Sequence, residues 1–253
     1  MSDPSEVPFR LRRAEAVLQQ RTARLVLVLE RPWNDDNVQA VLRTAESFGI
    51  QHVWTVRPLE TRMKNTRSVT KGSHLWLTQR TFDTPEECIA ALQAARLPIW
   101  ATELGPDATE VRAPEDLAPL PPRFALVVGR EVDGVSPMLL AAADRRLYLP
   151  MRGFTESFNL SVATALMLQR CFDADPGLAG AMEPAERDGL RAEWYLRLAG
   201  DDPARRAAYA ALAQAPPAPA PDARPSLESR APRVPRKIRK KVWPERYPGT
   251  PPA

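Results

Sequence analysis

The chain has 253 residues, of which 44% are hydrophobic and 26% charged, and its formal net charge is +4. That length fits one main domain with extensions or two small ones, and the hydrophobic share is enough for a packed core. No apolar run approaches the length of a membrane span, and the arginine-rich first 24 residues lack the apolar centre of a secretory signal. We therefore expect a cytoplasmic protein without a membrane partner.

The chain has few residues suited to metal binding or redox chemistry. Its two cysteines are Cys88 and Cys171, and its two histidines are His52 and His74. Their spacing is not that of metal ligands, so we predict that no metal is bound. We interpret both cysteines as reduced residues buried in helices.

Strand-like and helix-like segments alternate after a predicted basic N-terminal helix. In chain order the predicted elements are helix Phe9–Arg21, strand Leu25–Leu29, helix Val38–Phe48, strand His52–Val56, helix Pro85–Ala95, strand Ile99–Thr102, strand Phe124–Val128, helix Pro137–Ala143, strand Arg146–Leu149 and helix Leu160–Phe172. This alternation favours an α/β domain with a mainly parallel sheet and helices on both faces. Turns after the strands place polar segments at the carboxyl ends of strands, where such sheets bind ligands.

The C-terminal third differs in composition. Two further helices are predicted, Pro184–Ala199 and Pro203–Leu212, and a Pro/Ala linker over residues 214–225 is expected to be extended without packing. Residues 222–253 carry nine Lys and Arg against three Asp and Glu, or +6, so the rest of the +4 chain carries −2. A flexible basic tail of this kind suits contacts with RNA phosphates, although a merely solvated terminus is the alternative.

Three polar segments each follow a predicted strand and precede a predicted helix. In order they contain Asn37 and Arg43; then Gly129, Glu131 and Gly134; then Pro150, Met151, Gly153, Ser157, Asn159 and Ser161. Asn37 and Arg43 could face one side of their helix if Asn37 caps it. The third segment has more polar residues than a helix cap requires, although simple capping is the alternative.

These segments, in this order, resemble the signature motifs of the SpoU/TrmH family of RNA 2′-O-ribose methyltransferases in the SPOUT superfamily. The resemblance covers about residues 9 to 200. It implies S-adenosylmethionine as cofactor, a homodimer with active sites at its interface, and a deep trefoil knot formed by about residues 124–172. The implied division is an N-terminal basic helix over 1–23, a methyltransferase domain over 24–173, a helical region over 183–213, and the linker with its tail over 214–253.

The resemblance also implies roles for individual residues. Arg43 would contact the substrate ribose and phosphate and assist deprotonation, since none of the motifs contains a histidine to act as base. A surface arginine is the alternative interpretation of Arg43, and a structural ion pair is the alternative for Glu131. The implied catalytic residues are Arg43, Asn37, Glu131, Ser157 and Asn159; the implied cofactor contacts are Thr102, Gly129, Leu149, Met151 and Phe158.

The RNA is expected to be tRNA. The segments over 70–76 and 196–200 resemble the enzymes that methylate guanosine 18 of the tRNA D-loop. The basic residues expected to contact RNA are Arg10, Arg12, Arg13, Arg21, Arg236, Lys237, Arg239, Lys240 and Lys241. The alternatives are a methyltransferase for rRNA or for the tRNA anticodon loop, and a non-catalytic RNA-binding relative. The complete set of implied catalytic residues argues against the non-catalytic alternative.

Overall fold

The computed structural model describes residues 7–57, 72–130 and 133–221. Within them, seven parallel strands form one sheet in the order β3-β2-β1-β6-β4-β7-β5. The strands are β1 Thr22–Glu30, β2 Ile50–Val56, β3 Thr78–Phe82, β4 Ile99–Thr102, β5 Thr109–Glu110, β6 Phe124–Val128 and β7 Arg145–Tyr148. The predicted α/β class with a mainly parallel sheet is confirmed.

Seven α-helices belong to the described ranges: α1 Phe9–Leu18, α2 Asp35–Ser47, α3 Pro85–Ala94, α4 Pro137–Ala141, α5 Leu160–Ala174, α6 Pro184–Ala199 and α7 Pro203–Gln214. Proline occupies the first turn of α3, α4, α6 and α7, where its missing N–H removes no helical hydrogen bond. Side chains of Asn34, Thr84, Ser136 and Asn159 cap α2, α3, α4 and α5. None of the helices in these ranges has the length and hydropathy needed to cross a membrane.

Both faces of the sheet are covered, as predicted. Alternate residues of β1 point to opposite faces: Leu25, Leu27 and Leu29 belong to one buried cluster, while Val26 and Val28 belong to another. The first cluster includes the inner sides of α2 and α5, and the second includes those of α3 and α4. The result is a three-layer domain in which α2 and α5 pack side by side on one face.

The N-terminal and C-terminal helices form a third buried cluster with α1, α6 and α7 as its walls. A polar network crosses it, in which the Glu15 carboxylate accepts hydrogen bonds from Arg191 Nε at 2.8 Å and from the Tyr195 hydroxyl at 2.9 Å. Buried charge of this kind is tolerated because each partner is hydrogen-bonded. Helices α1 and α6 are thereby joined beside the sheet.

Two strands were not predicted from the sequence. Strand β3 reads Thr-Gln-Arg-Thr-Phe and lies at one edge of the sheet, where three of its five side chains are exposed. Strand β5 at the opposite edge has two residues. Both lack the apolar run that marks a strand buried on two faces, because edge strands need not be apolar.

The N-terminal helix is shorter than predicted. It ends at Leu18 rather than Arg21, and β1 begins at Thr22 rather than Leu25. Thr22 N donates to the carbonyl of Gly49 at 2.9 Å, so the sheet hydrogen bonding starts earlier than the apolar run.

The start of the Pro/Ala linker packs against α1, which contradicts the prediction of an unpacked segment. Ala220 is buried, and its N–H donates to the carbonyl of Arg12 at 2.8 Å. The Arg12 Nε donates in return to the carbonyl of Ala218 at 3.4 Å. The segment does run without helix or strand, but backbone hydrogen bonds to α1 hold it although its side chains offer little apolar bulk.

Candidate active site

Four adjacent strands bring the polar segments of the sequence to one edge of the sheet. These strands are β1, β6, β4 and β7, and all are parallel, so their carboxyl ends lie together. The chain leaves β1 through Arg31 to Asn34 into α2, leaves β6 at Gly129, and leaves β7 through residues 149–159 into α5. The three segments predicted to meet at this edge therefore do so.

A cavity of about 450 Å³ opens at this edge, within the range of roughly 300–1,000 Å³ common for small-molecule sites. Its walls come from the carboxyl ends of β4, β6 and β7, the loops after them, and the inner face of α5. The five residues predicted to contact a cofactor, together with Ser157, all line it: Thr102, Gly129, Leu149, Met151 and Phe158. Their grouping agrees with the sequence analysis, and their cofactor role stays a prediction.

The loop after β6 doubles back tightly. Arg130 and Gly134 exchange backbone hydrogen bonds of 3.0 and 2.9 Å, and Gly134 has a φ of +67°. A Cβ added at Gly129 would lie 2.0 Å from the carbonyl carbon of Gly134, so a side chain there would collide with backbone. Glu131, predicted to be catalytic, lies outside the described residues.

A buried carboxylate ties this loop to the centre of the sheet. Glu30 is fully buried at the end of β1, and its Oε2 accepts a hydrogen bond of 2.6 Å from the Ser136 N–H. Ser136 is also the cap of α4. The interaction fixes the far end of the loop that begins at Gly129. A charged residue ending an otherwise apolar strand was the sequence signal for this anchor.

The first and third polar segments are joined by a direct hydrogen bond. Asn159 Nδ2 donates to Asn37 Oδ1 at 3.0 Å, while Asn159 Oδ1 accepts from the N–H and hydroxyl of Ser161 at 2.9 and 2.7 Å. Asn159 is thus both the cap of α5 and a bridge to α2. The capping interpretation of this segment is correct for Asn159 but incomplete.

Arg43 lies on the exposed side of α2, and among the described residues its guanidinium has no hydrogen bond or ion pair. Asn37 is the third residue of the helix rather than its cap, which is Asn34. Six residues on a helix correspond to directions about 120° apart, so the two side chains diverge. The condition under which the two residues would share one side of the helix, Asn37 as its cap, is therefore not met. Asn37 instead fixes the helix that carries Arg43.

Acidic side chains surround the cavity mouth. Asp133 forms ion pairs with Arg130 at 2.8 Å and with Arg31 at 3.7 Å, and Glu103 pairs with Arg146 at 3.2 Å. Glu156 also lines the cavity and is exposed. Arginines thus compensate Asp133 and Glu103, which leaves the exposed Glu156 carboxylate to favour positive charge beside apolar walls and loop backbone groups.

The residues predicted to contact RNA are in different environments. Arg10 and Arg13 are exposed on α1, whereas Arg12 is half-buried and hydrogen-bonded to Ala218. Arg236, Lys237, Arg239, Lys240 and Lys241 lie outside the described residues.

The prediction that Arg21 contacts RNA is wrong. It is fully buried, donates to the Ile50 carbonyl at 3.0 Å, and pairs with Glu46 at 2.9 Å. Its guanidinium also lies 5.1 Å from the centre of the Trp194 ring. Arg21 joins α1 to α2 and α6 and cannot reach RNA in this fold.

The two cysteines are unreactive because they are buried. Both are buried, and burial raises the pKa of Cys88 and of Cys171 to about 12. Each thiol therefore stays protonated near neutral pH, which disfavours metal binding and nucleophilic attack. No group of three or more His, Cys, Asp or Glu suited to a metal ion occurs in the parts of the chain that the structure describes.

Sequence comparison relates the chain to known methyltransferases. Residues 24–169 match the model of the SpoU rRNA methylase family. The tRNA (guanosine(18)-2′-O)-methyltransferase of Borreliella burgdorferi is 32% identical over 190 residues, which cover 74% of this chain and 84% of that protein. The enzyme of the same description from Aquifex aeolicus is 30% identical over 159 residues, covering 63% and 74%.

Structural comparison agrees. The crystal structure of the A. aeolicus TrmH/SpoU tRNA modifying enzyme superposes with a TM-score of 0.64 at 26% identity, and covers 73% of this chain and 92% of that one. The matched family model spans the strands and loops that form the cavity and the bond between Asn37 and Asn159. The chain belongs to the SpoU rRNA methylase family.

Proposed function

We propose that this protein transfers a methyl group from S-adenosylmethionine to the ribose 2′-hydroxyl of guanosine 18 in tRNA. The observation that carries the proposal is the meeting of three polar segments beside one cavity, with the bond of 3.0 Å between Asn159 and Asn37 joining the first segment to the third. The relatives that methylate guanosine 18 support the choice of substrate.

S-adenosylmethionine supplies an electrophilic methyl group on a positively charged sulfur. The residues around the cavity fit such a ligand: Leu149, Met151 and Phe158 offer apolar surface, and the exposed carboxylate of Glu156 favours positive charge. The protein's own task is to align the ribose with the methyl group and to accept or relay one proton.

Each polar residue has a separate part in that task. Arg43 is exposed and free to contact the ribose and its phosphate, where its charge stabilises the developing alkoxide. Asn37 and Asn159 are positioning residues that hold α2 against α5. Ser157 lines the cavity and is placed to bind the cofactor or the ribose. We assign Glu131 to the same site on the motif alone.

The test is to incubate the protein with radiolabelled S-adenosylmethionine and separated tRNA and rRNA, then to map the methylated nucleoside. We expect label in tRNA at 2′-O-methylguanosine 18, and none in a transcript carrying 2′-deoxyguanosine at that position. Label in rRNA or at the anticodon loop would overturn the substrate. No incorporation into either RNA pool would overturn the activity and favour a non-catalytic RNA-binding role.

We further propose that the chain is knotted. Strand β6 lies between β1 and β4, and the chain passes from it to β7 on the far side of β4. It then returns through α5, which packs on α2 over the first cluster. This return path supports the proposal of a trefoil knot over about residues 124–172. We also propose that the protein acts in the cytoplasm, where tRNA is modified. Its proposed functional parts are the N-terminal basic helix over 1–23, the methyltransferase domain over 24–173, the helical region over 183–213, and the linker with its tail over 214–253.

We also propose a homodimer formed through α5. Val162 and Leu166 are four residues apart on α5 and share one face, with 46% and 41% of their surface exposed, and Phe158, just before the cap of α5, is 38% exposed. A second copy of the chain would cover this apolar stripe, which its own core leaves in water.

Light scattering at micromolar concentration should therefore give twice the monomer mass for the native protein. Leu166→Glu should give the monomer mass, because burying an unpaired carboxylate in the interface opposes association. Met138→Glu, at an equally exposed apolar residue on the opposite face of the sheet, is the control and should stay dimeric. A native monomer, or a dimeric Leu166→Glu variant, would contradict the α5 interface.

The basic tail should assist RNA capture and leave chemistry unchanged. Deleting residues 222–253, which carry +6, should weaken tRNA binding. If each of five basic residues contacts one phosphate, the slope of log affinity against log salt should flatten by up to about 3.5. Cofactor affinity and the single-turnover rate at saturating tRNA should be unchanged.

The control for the tail keeps its length. Changing Arg236, Lys237, Arg239, Lys240 and Lys241 to glutamine should reproduce most of the effect of the deletion. Equal affinity and equal salt slope for native and truncated proteins would mean that the tail does not contact RNA.

A further inference from the structure

Trp33 is the most exposed tryptophan of the described residues, with 75% of its surface accessible. Trp54, Trp100 and Trp194 are 5% exposed or less, and Trp76 packs partly buried against the third cluster. An indole that stays exposed to water lacks a hydrophobic stabilisation that is among the largest a side chain gains on burial. Its position therefore needs a reason other than folding.

The location of Trp33 links it to the candidate active site. It lies in the turn between β1 and α2, directly before the helix cap Asn34. One helical turn further on, Asn37 accepts the hydrogen bond from Asn159. Trp33 is thus on the same edge of the sheet as the cavity and at the start of the helix that carries Arg43.

Arg130 connects the indole to the cavity wall. The Arg130 guanidinium carbon lies 5.7 Å from the centre of the Trp33 ring, and Arg130 itself lines the cavity. Asp133 holds that guanidinium with an ion pair of 2.8 Å. The ring therefore lies beside a residue of the cavity wall that is itself held by an ion pair, while most of its surface stays accessible.

We propose that Trp33, flanked by Arg130, is a stacking platform for the base of the nucleotide whose ribose enters the site. This inference rests on the proposed function and extends it to the form of the substrate. A base inside a helix has both faces covered by its neighbours, whereas an indole platform needs one face free. The substrate nucleotide is thus one that leaves its stack, and Arg130, which lies against the indole, helps to hold the platform in place.

RNA affinity tests this without requiring turnover. Trp33→Ala should bind an unmodified tRNA transcript about 5- to 150-fold more weakly in fluorescence anisotropy at fixed salt, the range measured for one base–aromatic stack. Trp33→Phe should recover much of the loss. Met138→Ala, which removes another exposed apolar side chain that does not line the cavity, is the matched control and should bind like the native protein. Unchanged affinity of Trp33→Ala would overturn the proposal.

A double-mutant cycle tests which base is stacked. An abasic site at the methylated nucleotide, identified by mapping or placed at position 18, should weaken binding by the native protein and add nothing for Trp33→Ala. Additive losses would overturn the assignment to that base.

Two further measurements distinguish base stacking by Trp33 from a role in the chemical step or in subunit contact. In steady state, the Michaelis constant for tRNA should rise while the rate at saturating tRNA changes by less than about threefold, because stacking acts equally before and during the chemical step. A monomeric Trp33→Ala protein in light scattering would show that a second subunit covers the indole and would overturn the platform. If the native protein binds tRNA through Trp33 but methylates nothing, the activity fails while the platform stands.

Discussion

Replacing Arg43 by alanine is expected to abolish measurable methyl transfer, with a loss of at least about 10²-fold to 10³-fold in single-turnover rate. The guanidinium is exposed and has no partner within the described residues, so its removal breaks no contact of the fold. The helix that carries it is held at both ends by other residues. Asn37 bonds to Asn159 near its start, and Glu46 pairs with the buried Arg21 near its end.

The measurement is single-turnover methylation at saturating tRNA, with thermal unfolding and S-adenosylhomocysteine binding measured on the same preparation. Both should match the native protein within error. Arg123→Ala is the matched control, because Arg123 is an exposed arginine just before β6, at the opposite end of the sheet. A variant at Arg43 that keeps most of its rate would show that the alkoxide is stabilised by another group.

The location of the candidate site could be predicted from the sequence because its polar segments follow directly after apolar strands, whereas the roles of its residues were implied by the family resemblance. Strand β6 is buried along its whole length, so its apolar run predicts where it ends and where Gly129 begins the loop. The strand order could not be read in the same way. The three motif-bearing strands β1, β6 and β7 lie together with β4 between the last two, yet β6 and β7 are far from β1 in the chain, and only the pairing in three dimensions brings them together.

Arg21 shows why surface contacts were harder to predict. In the sequence it resembles the other arginines of the N-terminal helix, and charge alone predicts exposure. The structure buries it because Glu46 and the Ile50 carbonyl satisfy its donors and Trp194 lies against its face. Those partners are 25 to 173 residues away in the chain, since Glu46 is residue 46 and Trp194 is residue 194. A local pattern cannot contain such information.

Trp33 and Arg130 are the opposite case, because the sequence predicted no role for them. Trp33 precedes the first polar segment, Arg130 is a variable position of the second, and an isolated tryptophan in a turn predicts nothing about RNA. Their significance appears only when the turn after β1 and the loop after β6 lie on neighbouring strands, which brings the guanidinium within 5.7 Å of the ring centre. Both segments were marked in the sequence as turns after buried strands, which is the signal that could have directed attention to them.

Gly129→Ala is the second change with a large expected effect, and it tests the cavity as the cofactor site. The added methyl group would lie 2.0 Å from the carbonyl carbon of Gly134 and 2.1 Å from the Val135 nitrogen. Both are backbone atoms and cannot move aside as the end of a flexible side chain could, so the loop must open. That opening breaks the paired hydrogen bonds between Arg130 and Gly134 and deforms one wall of the cavity.

Calorimetry should show native binding of S-adenosylhomocysteine and at least about a tenfold weaker affinity for Gly129→Ala, with a melting temperature lower by about 2 to 12 °C for a loss of 1–3 kcal/mol. Gly153→Ala is the control in the loop after β7, because a Cβ there meets no atom within 4 Å, and it should differ from the native protein by less than about 0.5 kcal/mol. Native protein that binds no ligand at millimolar concentration would exclude this cavity as the cofactor site. Native-like affinity of Gly129→Ala would show instead that the ligand does not depend on the wall formed by the Gly129 loop.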